Sequence, residues 1–319
     1  MAKRTPAANG AGKDRHFMQA CHDLLELPIV SVDVGADGGV REWGELATLC
    51  AIHAFEPRQN SFEELQRSLT ERSQQYLKIH NTGLARTTGR HRLYVTRIPQ
   101  ASSLRKPKPA SLLLKRWRQD NGFDVTQELE VDCISLAQFV QEENLSRIDF
   151  LKLDTQGSEL DILRGGGDFL CEISIIKCEV EFVQLYEGQP LFDEVVGTLA
   201  SYGFRFFAFE EGGGEVYGKK IWSDCMFVQS KFTDHGRLMR AAAILIHIGY
   251  YEEALWLLVD HGVPVEMYQR LANARIEDIT PARAKLWKTF RGSVGRLLKA
   301  IGVLQVARKI LKRTHRLKT

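Results

Sequence analysis

Three short apolar segments in the first half of the chain each carry an acidic residue at or beside their carboxyl end. The segments are residues 29–34, 51–55 and 150–153, and the acids are Asp33, Glu56 and Asp154. A helical pattern follows each segment. Strands that alternate with helices in this way are typical of a parallel sheet with helices on both faces. Ligands of such sheets bind at the carboxyl ends of the strands, so the three acids are candidates for one common site.

The alternation of strands and helices continues to about residue 230. Further strands are predicted at residues 76–80, 89–98, 129–134, 173–180, 204–209 and 221–229, and helices at residues 17–27, 41–50, 58–73, 135–143, 158–170 and 191–202. Ser135 has a side chain that suits a helix N-cap. The pattern predicts an α/β fold with a doubly wound, mostly parallel sheet.

The chain divides by composition into four predicted segments. They are a disordered terminus at residues 1–14, the α/β domain at residues 15–230, a helical hairpin at residues 231–280 and a basic tail at residues 281–319. Within the hairpin, residues 237–261 resemble one tetratricopeptide helix pair with Gly249 at the turn. A single pair cannot form a solenoid, so we expect it to pack on the α/β domain or on a partner.

Charge is unevenly distributed along the chain. The formal net charge is +3, but residues 281–319 hold 12 Lys and Arg and no acid, which leaves 31 basic and 40 acidic residues in residues 1–280. Apolar residues at helical spacing within residues 291–319 predict an amphipathic basic helix that binds an anionic membrane surface. The alternative is that its apolar stripe packs on the body or on a second copy in a homodimer. Nucleic acid is less favoured as a partner, because the tail lacks interleaved aromatic residues.

Six scattered cysteines without a paired spacing indicate reduced thiols in a cytosolic protein. The N-terminal residues lack the apolar run of a signal peptide, and no segment reaches the 18 apolar residues expected of a membrane span. We therefore expect a cytoplasmic protein, peripheral at the inner membrane surface if the basic tail binds lipid.

A glycine-rich turn follows the first strand. Residues 33–39 read Asp-Val-Gly-Ala-Asp-Gly-Gly, and glycines at such a turn let a ligand approach the backbone. The spacing differs from the Gly-x-Gly-x-x-Gly of nicotinamide and flavin binders, which argues against hydride transfer. The alternative is a β-to-α turn without a ligand. Glu56, about 20 residues farther along, is placed to bind both hydroxyls of a ribose, unless it only stabilises a helix N-terminus.

The third acidic segment continues into the longest motif. Residues 151–166 read Leu-Lys-Leu-Asp-Thr-Gln-Gly-Ser-Glu-Leu-Asp-Ile-Leu-Arg-Gly-Gly. Lys152 and Asp154 alternate along the strand and therefore share a face. Glu159 falls in the first turn of the following helix, where an acid stabilises the helix dipole.

Together these motifs resemble the FkbM-type S-adenosylmethionine-dependent methyltransferases. The family pattern contains Asp-x-Gly-Ala-x-x-Gly, matched by residues 33–39, and Ala-Phe-Glu-Pro, matched by residues 54–57. Its third block, Leu-Lys-x-Asp-x-x-Gly-x-Glu-x-x-x-Leu-x-Gly-Gly/Ala, is matched by residues 151–166. The resemblance spans residues 28–229 and leaves out the basic tail. Many members carry Val-Glu before the Gly of the third block, whereas this chain has Thr-Gln, which excludes a catalytic carboxylate at position 156.

The resemblance implies a class I methyltransferase fold, with a seven-stranded, mostly parallel sheet and an antiparallel edge hairpin. It also implies S-adenosylmethionine as the cofactor and O-methylation of a sugar or natural-product hydroxyl as the reaction. The implied cofactor residues are Asp33 at the methionine amino group, Gly35, Ala36 and Gly38 along the cofactor, and Glu56 at the ribose. His80, which ends the third strand, and Asn81 after it are further candidates for the cofactor site, and His80 is also a candidate for a general base. For His80 the alternative is a structural role.

A sugar hydroxyl is weakly acidic, so a general base promotes its methylation. Asp154 is the first candidate for this base. Glu179 and Glu181 alternate along a later strand and are the second candidates, and Lys152 completes the predicted catalytic set. Asp154 with Glu179 or Glu181 would also suit Mg²⁺, but no further ligand has a clear spacing, and no metal is predicted.

The predicted function is a cytosolic O-methyltransferase that acts on a saccharide hydroxyl of a glycan or of its lipid-linked precursor. One alternative is a non-catalytic, degenerate methyltransferase fold that serves as an interaction scaffold. The intact Asp33, Gly35, Glu56 and Asp154 argue against it. The other alternative is an RNA methyltransferase anchored by its basic tail, although the chain lacks the Asn/Asp-Pro-Pro-aromatic tetrapeptide of enzymes that methylate amino groups.

Overall fold

The computed structural model describes residues 15–35, 43–70, 75–108, 122–210, 212–216 and 218–278. The predicted disordered terminus and the basic tail lie outside the described residues, and so do Ala36 and Gly38 of the glycine-rich turn. None of the described helices has the length and apolar character needed to cross a membrane.

Eleven strands are described in this part of the chain. They are β1 (Ile29–Val34), β2 (Cys50–Phe55), β3 (Leu77–His80), β4 (Gly83–Ala85), β5 (Gly89–Thr96), β6 (Val125–Ser135), β7 (Ile148–Leu153), β8 (Ile173–Glu181), β9 (Phe204–Phe209), β10 (Gly214–Val216) and β11 (Lys219–Gln229). In the main sheet, β3, β2, β1, β7 and β8 lie side by side in that order and are parallel. Strand β11 then pairs antiparallel with β8. The α/β fold with a mostly parallel sheet is therefore confirmed.

Strands β9 and β10 share the outer edge of β11. The first pairs with residues 225–229 and the second with residues 219–222, both antiparallel. Since β8 occupies the other edge of β11, the two act as one interrupted strand, and the main sheet has seven strand positions. Strands β4 and β10 were not predicted from the sequence.

A second, smaller sheet stands beside the first. Its order is β4–β6–β5, with β4 parallel and β5 antiparallel to β6. The pairing of β5 with β6 is the antiparallel pairing that the alternating pattern of residues 89–98 indicated. Its apolar side chains form a small core of their own around Leu93 and Val131.

Helices cover both faces of the main sheet. The α-helices are α1 (Arg15–Leu24), α2 (Gln59–Ser68), α3 (Leu136–Glu142), α4 (Glu159–Arg164), α5 (Phe192–Ser201), α6 (His235–His247), α7 (Tyr251–Asp260) and α8 (Val265–Asp278), and short 3-10 helices lie at Gly44–Leu49, Pro99–Ala101 and Gly167–Glu172. Ile29 packs with α1 and α6–α8, whereas Val30 and Val32 pack with α3, α4 and α5. Because successive side chains of β1 point to opposite covered faces, all six of its residues are buried.

The helix pair predicted around Gly249 is present as α6 and α7, and a third helix, α8, follows it. The three helices share one apolar core with the main sheet and with α1. The domain boundary at residue 230 stays a prediction. Ser135 caps α3, as expected, because its hydroxyl accepts a hydrogen bond from the Gln138 amide.

The single helix predicted at residues 158–170 is wrong. Helix α4 ends at Arg164, and a 3-10 helix begins at Gly167. The physical reason is the run Gly165-Gly166-Gly167, because Gly167 has a left-handed φ of +53°, which ends a helix. Gly165 also lets β4 pass close by, since a Cβ there would lie 2.6 Å from the carbonyl oxygen of Ala85.

A buried ion pair ties α6 to the amino end of β7. Asp149 is 0% exposed, and its Oδ1 accepts from Arg240 Nε at 2.9 Å. Its Oδ2 accepts from the Val30 amide at 2.9 Å and from Arg147 Nε at 3.4 Å. Each carboxylate oxygen thus has a donor, which is the condition for burying a charge without a large loss of stability.

Candidate functional site

A cavity of about 470 Å³ opens at the carboxyl ends of β1, β2 and β7. The residues that line it include Gly35, Glu56, Asp154, Gln156, Glu179 and Trp222. This is the edge at which open α/β sheets bind ligands. The volume lies within the range of about 300–1,000 Å³ that is usual for small-molecule sites.

Gly35 allows β1 and β7 to end in contact. Its φ is +88°, and a Cβ at this position would lie 2.0 Å from the carbonyl oxygen of Asp154. The Asp154 amide also donates to the carbonyl oxygen of Val34 at 3.0 Å. No residue with a side chain fits here, because the space that a Cβ would take is filled by the backbone of Asp154, and the glycine lets β1 and β7 end side by side at the cavity.

Glu56 follows β2 directly and is 4% exposed. Its Oε1 accepts from the Arg58 amide at 2.9 Å and from Arg58 Nε at 3.3 Å. These charge-assisted bonds fix the carboxylate at the cavity wall. An ionised carboxylate only accepts hydrogen bonds, which suits ligand hydroxyls as donors.

Asp33 and Lys152 form an ion pair across two neighbouring strands. They are partners in the parallel register of β1 and β7, and Lys152 Nζ donates to Asp33 Oδ1 at 2.9 Å. Neither residue is part of the cavity lining. The pair lies one residue before the end of β1 and β7, and its predicted roles in binding the methionine amino group and in catalysis stay predictions.

Asp154 and Glu179 are bridged by the side chain of Gln156. Gln156 Nε2 donates to Asp154 Oδ1 at 3.0 Å and to Glu179 Oε1 at 2.6 Å. All three residues line the cavity. Two of the four predicted catalytic residues are therefore brought together at this wall, whereas Glu181 and Lys152 are not among the lining residues.

The segments around this bridge hold each other in place. The Tyr186 hydroxyl lies 3.2 Å from Gln156 Oε1 and 2.8 Å from the carbonyl oxygen of Ala101, and the Ser103 hydroxyl donates to the carbonyl oxygen of Gln156 at 2.8 Å. Arg105 adds a link, because it donates to the carbonyl oxygen of Gly188 and to Asp161 Oδ2, both at 2.6 Å. Sequence reasoning missed the contributions of Ser103 and Tyr186, which lie far from any recognised motif.

Several buried carboxylates surround the bridge. Burial, together with the charges of Asp154 and Glu181, raises the pKa of Glu179 well above its usual value. Burial likewise raises the pKa of Glu181 well above the usual range, with the charge of Glu159 adding to it. Burial raises the pKa of Glu159 to about 7, although the Thr155 amide, the Thr155 hydroxyl and the Gly157 amide donate to its carboxylate and oppose the shift. The site therefore favours protons on its innermost carboxyl groups.

His80 and Asn81 occupy a different neighbourhood. The His80 ring stacks on Phe55 with centroids 4.7 Å apart and lies with its Nε2 3.1 Å from Nδ1 of His53. Burial and the neighbouring His53 lower the pKa of His80 to about 4. Asn81 is exposed and donates to Gln59 Oε1. Neither residue is in the cavity lining, although the His80 carbonyl oxygen accepts from the Glu56 amide at 3.1 Å, and their predicted contacts with a cofactor stay predictions.

The residues at the cavity fit S-adenosylmethionine. Gly35 places the end of β1 in the cavity wall without a side chain, and Glu56 offers an acceptor for the ribose hydroxyls. Phe55 and Leu84 supply an apolar surface that suits a flat base. In the described ranges no group of three or more His, Cys, Asp or Glu residues is arranged to hold a metal ion.

A model of the methyltransferase FkbM domain matches residues 33–206. Methyltransferase 1 of Beauveria bassiana (strain ARSEF 2860) is 28% identical over an alignment of 174 residues, and this alignment covers 48% of this chain and 65% of that protein. The 2-O-methyltransferase NoeI of Sinorhizobium fredii (strain NBRC 101917 / NGR234) is 24% identical over an alignment of 189 residues, which covers 56% of this chain and 74% of that protein. The alignment with Methyltransferase 1 thus spans slightly less than two thirds of that protein.

Because the FkbM domain model covers more than half of the chain, the protein belongs to the FkbM methyltransferase family, and residues 33–206 form a methyltransferase domain that uses S-adenosylmethionine.

Proposed function

We propose that this protein transfers a methyl group from S-adenosylmethionine to a hydroxyl oxygen of a saccharide. The observation that carries the proposal is the bridged carboxylate pair of Asp154 and Glu179, which lines the same cavity as Gly35 and Glu56. An oxygen acceptor must lose its proton as it gains the methyl group. A carboxylate within reach of the acceptor can take that proton as a general base.

The residues divide into cofactor-holding and proton-accepting groups. When bound, S-adenosylmethionine supplies a methyl carbon on a positively charged sulfur, and its C–S bond breaks as the new C–O bond forms, with the electron pair staying on sulfur. Glu56 and the backbone at Gly35 hold the cofactor. Asp154 takes the proton of the acceptor hydroxyl. The cavity walls position the acceptor oxygen, and positioning of this kind can lower a barrier by about 7–11 kcal/mol.

Three arguments support a saccharide as the acceptor. Sugar hydroxyls are weakly acidic and therefore gain from a base such as Asp154. A relative of this chain is a 2-O-methyltransferase, so oxygen is the methylated atom in that protein. Trp222 and Phe123 also line the cavity and offer aromatic faces to the apolar side of a sugar ring. We further propose that this sugar belongs to a glycan or a lipid-linked precursor, which agrees with the membrane-binding tail predicted for residues 291–319.

The test is an acceptor panel with ¹³C-methyl-labelled S-adenosylmethionine. The panel contains methyl glycosides, free oligosaccharides and a lipid-linked oligosaccharide, with a catechol and a short RNA as acceptors of other classes. Carbon NMR detects the new methoxy group, and mass spectrometry of fragments locates it. We expect methyl ethers on the saccharides alone.

Two results would contradict the proposal. Transfer to RNA or to the catechol, with no saccharide methylated, would replace the acceptor class. Cofactor binding without transfer to any acceptor would favour the scaffold alternative.

A further inference from the structure

We propose that Gln156 is a positioning residue whose side-chain amide clamps Asp154 and Glu179 into a pair at the cavity wall. The inference rests on the proposed function, because it concerns the group that acts there as general base. It explains why this chain carries an uncharged amide at position 156, where a carboxylate would add a further negative charge to the wall.

The hydrogen bonds around the amide define its orientation. Nε2 donates to two carboxyl oxygens, Asp154 Oδ1 and Glu179 Oε1. Oε1 lies 3.2 Å from the Tyr186 hydroxyl, whose single proton it shares with the nearer carbonyl oxygen of Ala101 at 2.8 Å. The side chain thus has contacts at both ends of its amide group. It fixes the separation of the two carboxylates more firmly than either contact alone.

The backbone conformation of Gln156 indicates that glutamine occupies position 156 because of its side chain. Its φ is +60°, a left-handed conformation that glycine and asparagine adopt far more readily than glutamine. The hydroxyl of Ser103 stabilises this conformation by donating to the Gln156 carbonyl oxygen. A residue in such a strained conformation persists when its surroundings require it, and here the requirement is an amide that reaches two carboxylates.

The two carboxyl groups of the pair differ in burial. Glu179 is 7% exposed and lies in the middle of the covered sheet, whereas Asp154 is half-buried at the cavity. Burial penalises the charged form and raises the pKa of Glu179 well above its usual value. Gln156 can neither take up nor release a proton, so it connects the two groups without changing their total charge.

Other titratable groups face the pair from the elements packed around it. In chain order, with their elements, they are Lys152 (β7), Glu159 (α4), Lys177 and Glu181 (β8), Tyr186 (the loop after β8), Glu210 (the segment after β9) and Asp224 (β11). Lys177 pairs with Glu210 at 2.7 Å and approaches Asp224 at 3.7 Å. Lys177 is therefore engaged elsewhere, and so is Lys152, which pairs with Asp33. The described contacts that join Asp154 to Glu179 are the hydrogen bonds of Gln156.

The experiment is a ¹³C NMR titration of the carboxyl carbons in the full-length protein without any acceptor. Wild type is compared with Gln156→Met, which keeps the side-chain length and removes both N–H donors. Loss of a hydrogen bond to the charged form raises the proton affinity of Glu179, and we expect roughly a tenfold increase. The control is Gln19→Met, which removes an exposed amide that donates to Asp23 at 2.8 Å and should leave Glu179 unchanged.

Tyr186→Phe is the second variant, in case Gln156→Met does not fold. It removes the hydroxyl at Gln156 Oε1 and leaves the ring in place, so the amide loses one anchor and the Glu179 titration should move in the same direction by a smaller amount. Unchanged titration of Glu179 in both variants would overturn the clamp. Because no acceptor is present, a failed saccharide assay would count against the proposed function and leave this result intact.

Discussion

Strand β7 has a buried carboxyl group at its amino end and another at its carboxyl end, and their surroundings differ. At the amino end, Asp149 has donors on both oxygens, from Arg240, Arg147 and the Val30 amide. Its charge is compensated by groups that belong to the fold itself. Both oxygens of Asp149 are thus occupied by donors of the protein, and the ion pair with Arg240 holds α6 against the sheet.

At the carboxyl end, acids outnumber the cations near them. Among the described residues, the group comprises Asp154, Glu159, Glu179, Glu181 and Asp224, with Lys152 held by Asp33 and Lys177 held by Glu210. A cluster of this kind opposes folding, because several groups keep protons that they would release in water. Carboxyl groups therefore stabilise the fold where each charge is paired, and they are available for catalysis where the pairing is incomplete beside a cavity.

The largest expected effect concerns catalysis at the carboxyl end. We expect Asp154→Asn to lower kcat for saccharide methylation by about 10²–10⁴-fold, because it removes the general base. The affinity for S-adenosylmethionine should stay unchanged, as measured by calorimetry. The matched control is Asp168→Asn, at an exposed position. Equal turnover by Asp154→Asn and wild type would assign the proton to another group.

The next effect concerns stability at the amino end. Arg240→Leu leaves Asp149 buried without its main cation, and we expect it to lower the free energy of unfolding by about 3–5 kcal/mol. Urea unfolding followed by circular dichroism measures this loss. Arg67→Leu breaks an exposed pair with Glu63 and should change little. If the two variants unfold alike, the amino end of β7 does not depend on this ion pair.

A smaller effect should appear in the pH dependence of stability. Since Glu179 has a raised pKa, the folded protein keeps a proton that the unfolded chain releases above its usual value of 4.5, and stability falls as the pH rises through that window. Glu179→Gln removes this penalty. We expect the variant to be more stable than wild type at pH 8, with the difference vanishing towards pH 4.5. Parallel pH profiles of the two proteins would show that Glu179 is not held protonated.

The fold could be predicted from the sequence because its signals are local. The apolar run of β1 and the N-cap at Ser135 both reflect neighbouring residues, and both are found in the structure. The run Gly165-Gly166-Gly167 signals the end of α4, but the contact of Gly165 with the backbone of β4, which is distant in sequence, could not be predicted.

The site could be predicted only in part, for the same physical reason. Acids at strand ends placed Asp154 and Glu56 at the cavity, since the carboxyl ends of parallel strands share one edge. Tyr186 lies in a loop with no pattern of its own, and its contact with Gln156 depends on how two loops meet. The pairing of Lys152 with Asp33 depends on the register between β1 and β7, which a single sequence does not reveal.

The most direct test of this account compares cofactor binding after a change at each end of the sheet. S-adenosylmethionine is titrated calorimetrically into wild type, Glu56→Ala and Asp149→Asn, at a temperature where all three are folded. We predict that wild type binds, that Glu56→Ala binds roughly tenfold more weakly through loss of a charge-assisted hydrogen bond worth about 1.5 kcal/mol, and that Asp149→Asn binds like wild type. Absence of binding to wild type, or equal binding by Glu56→Ala, would contradict a cofactor site at the carboxyl ends of β1 and β2.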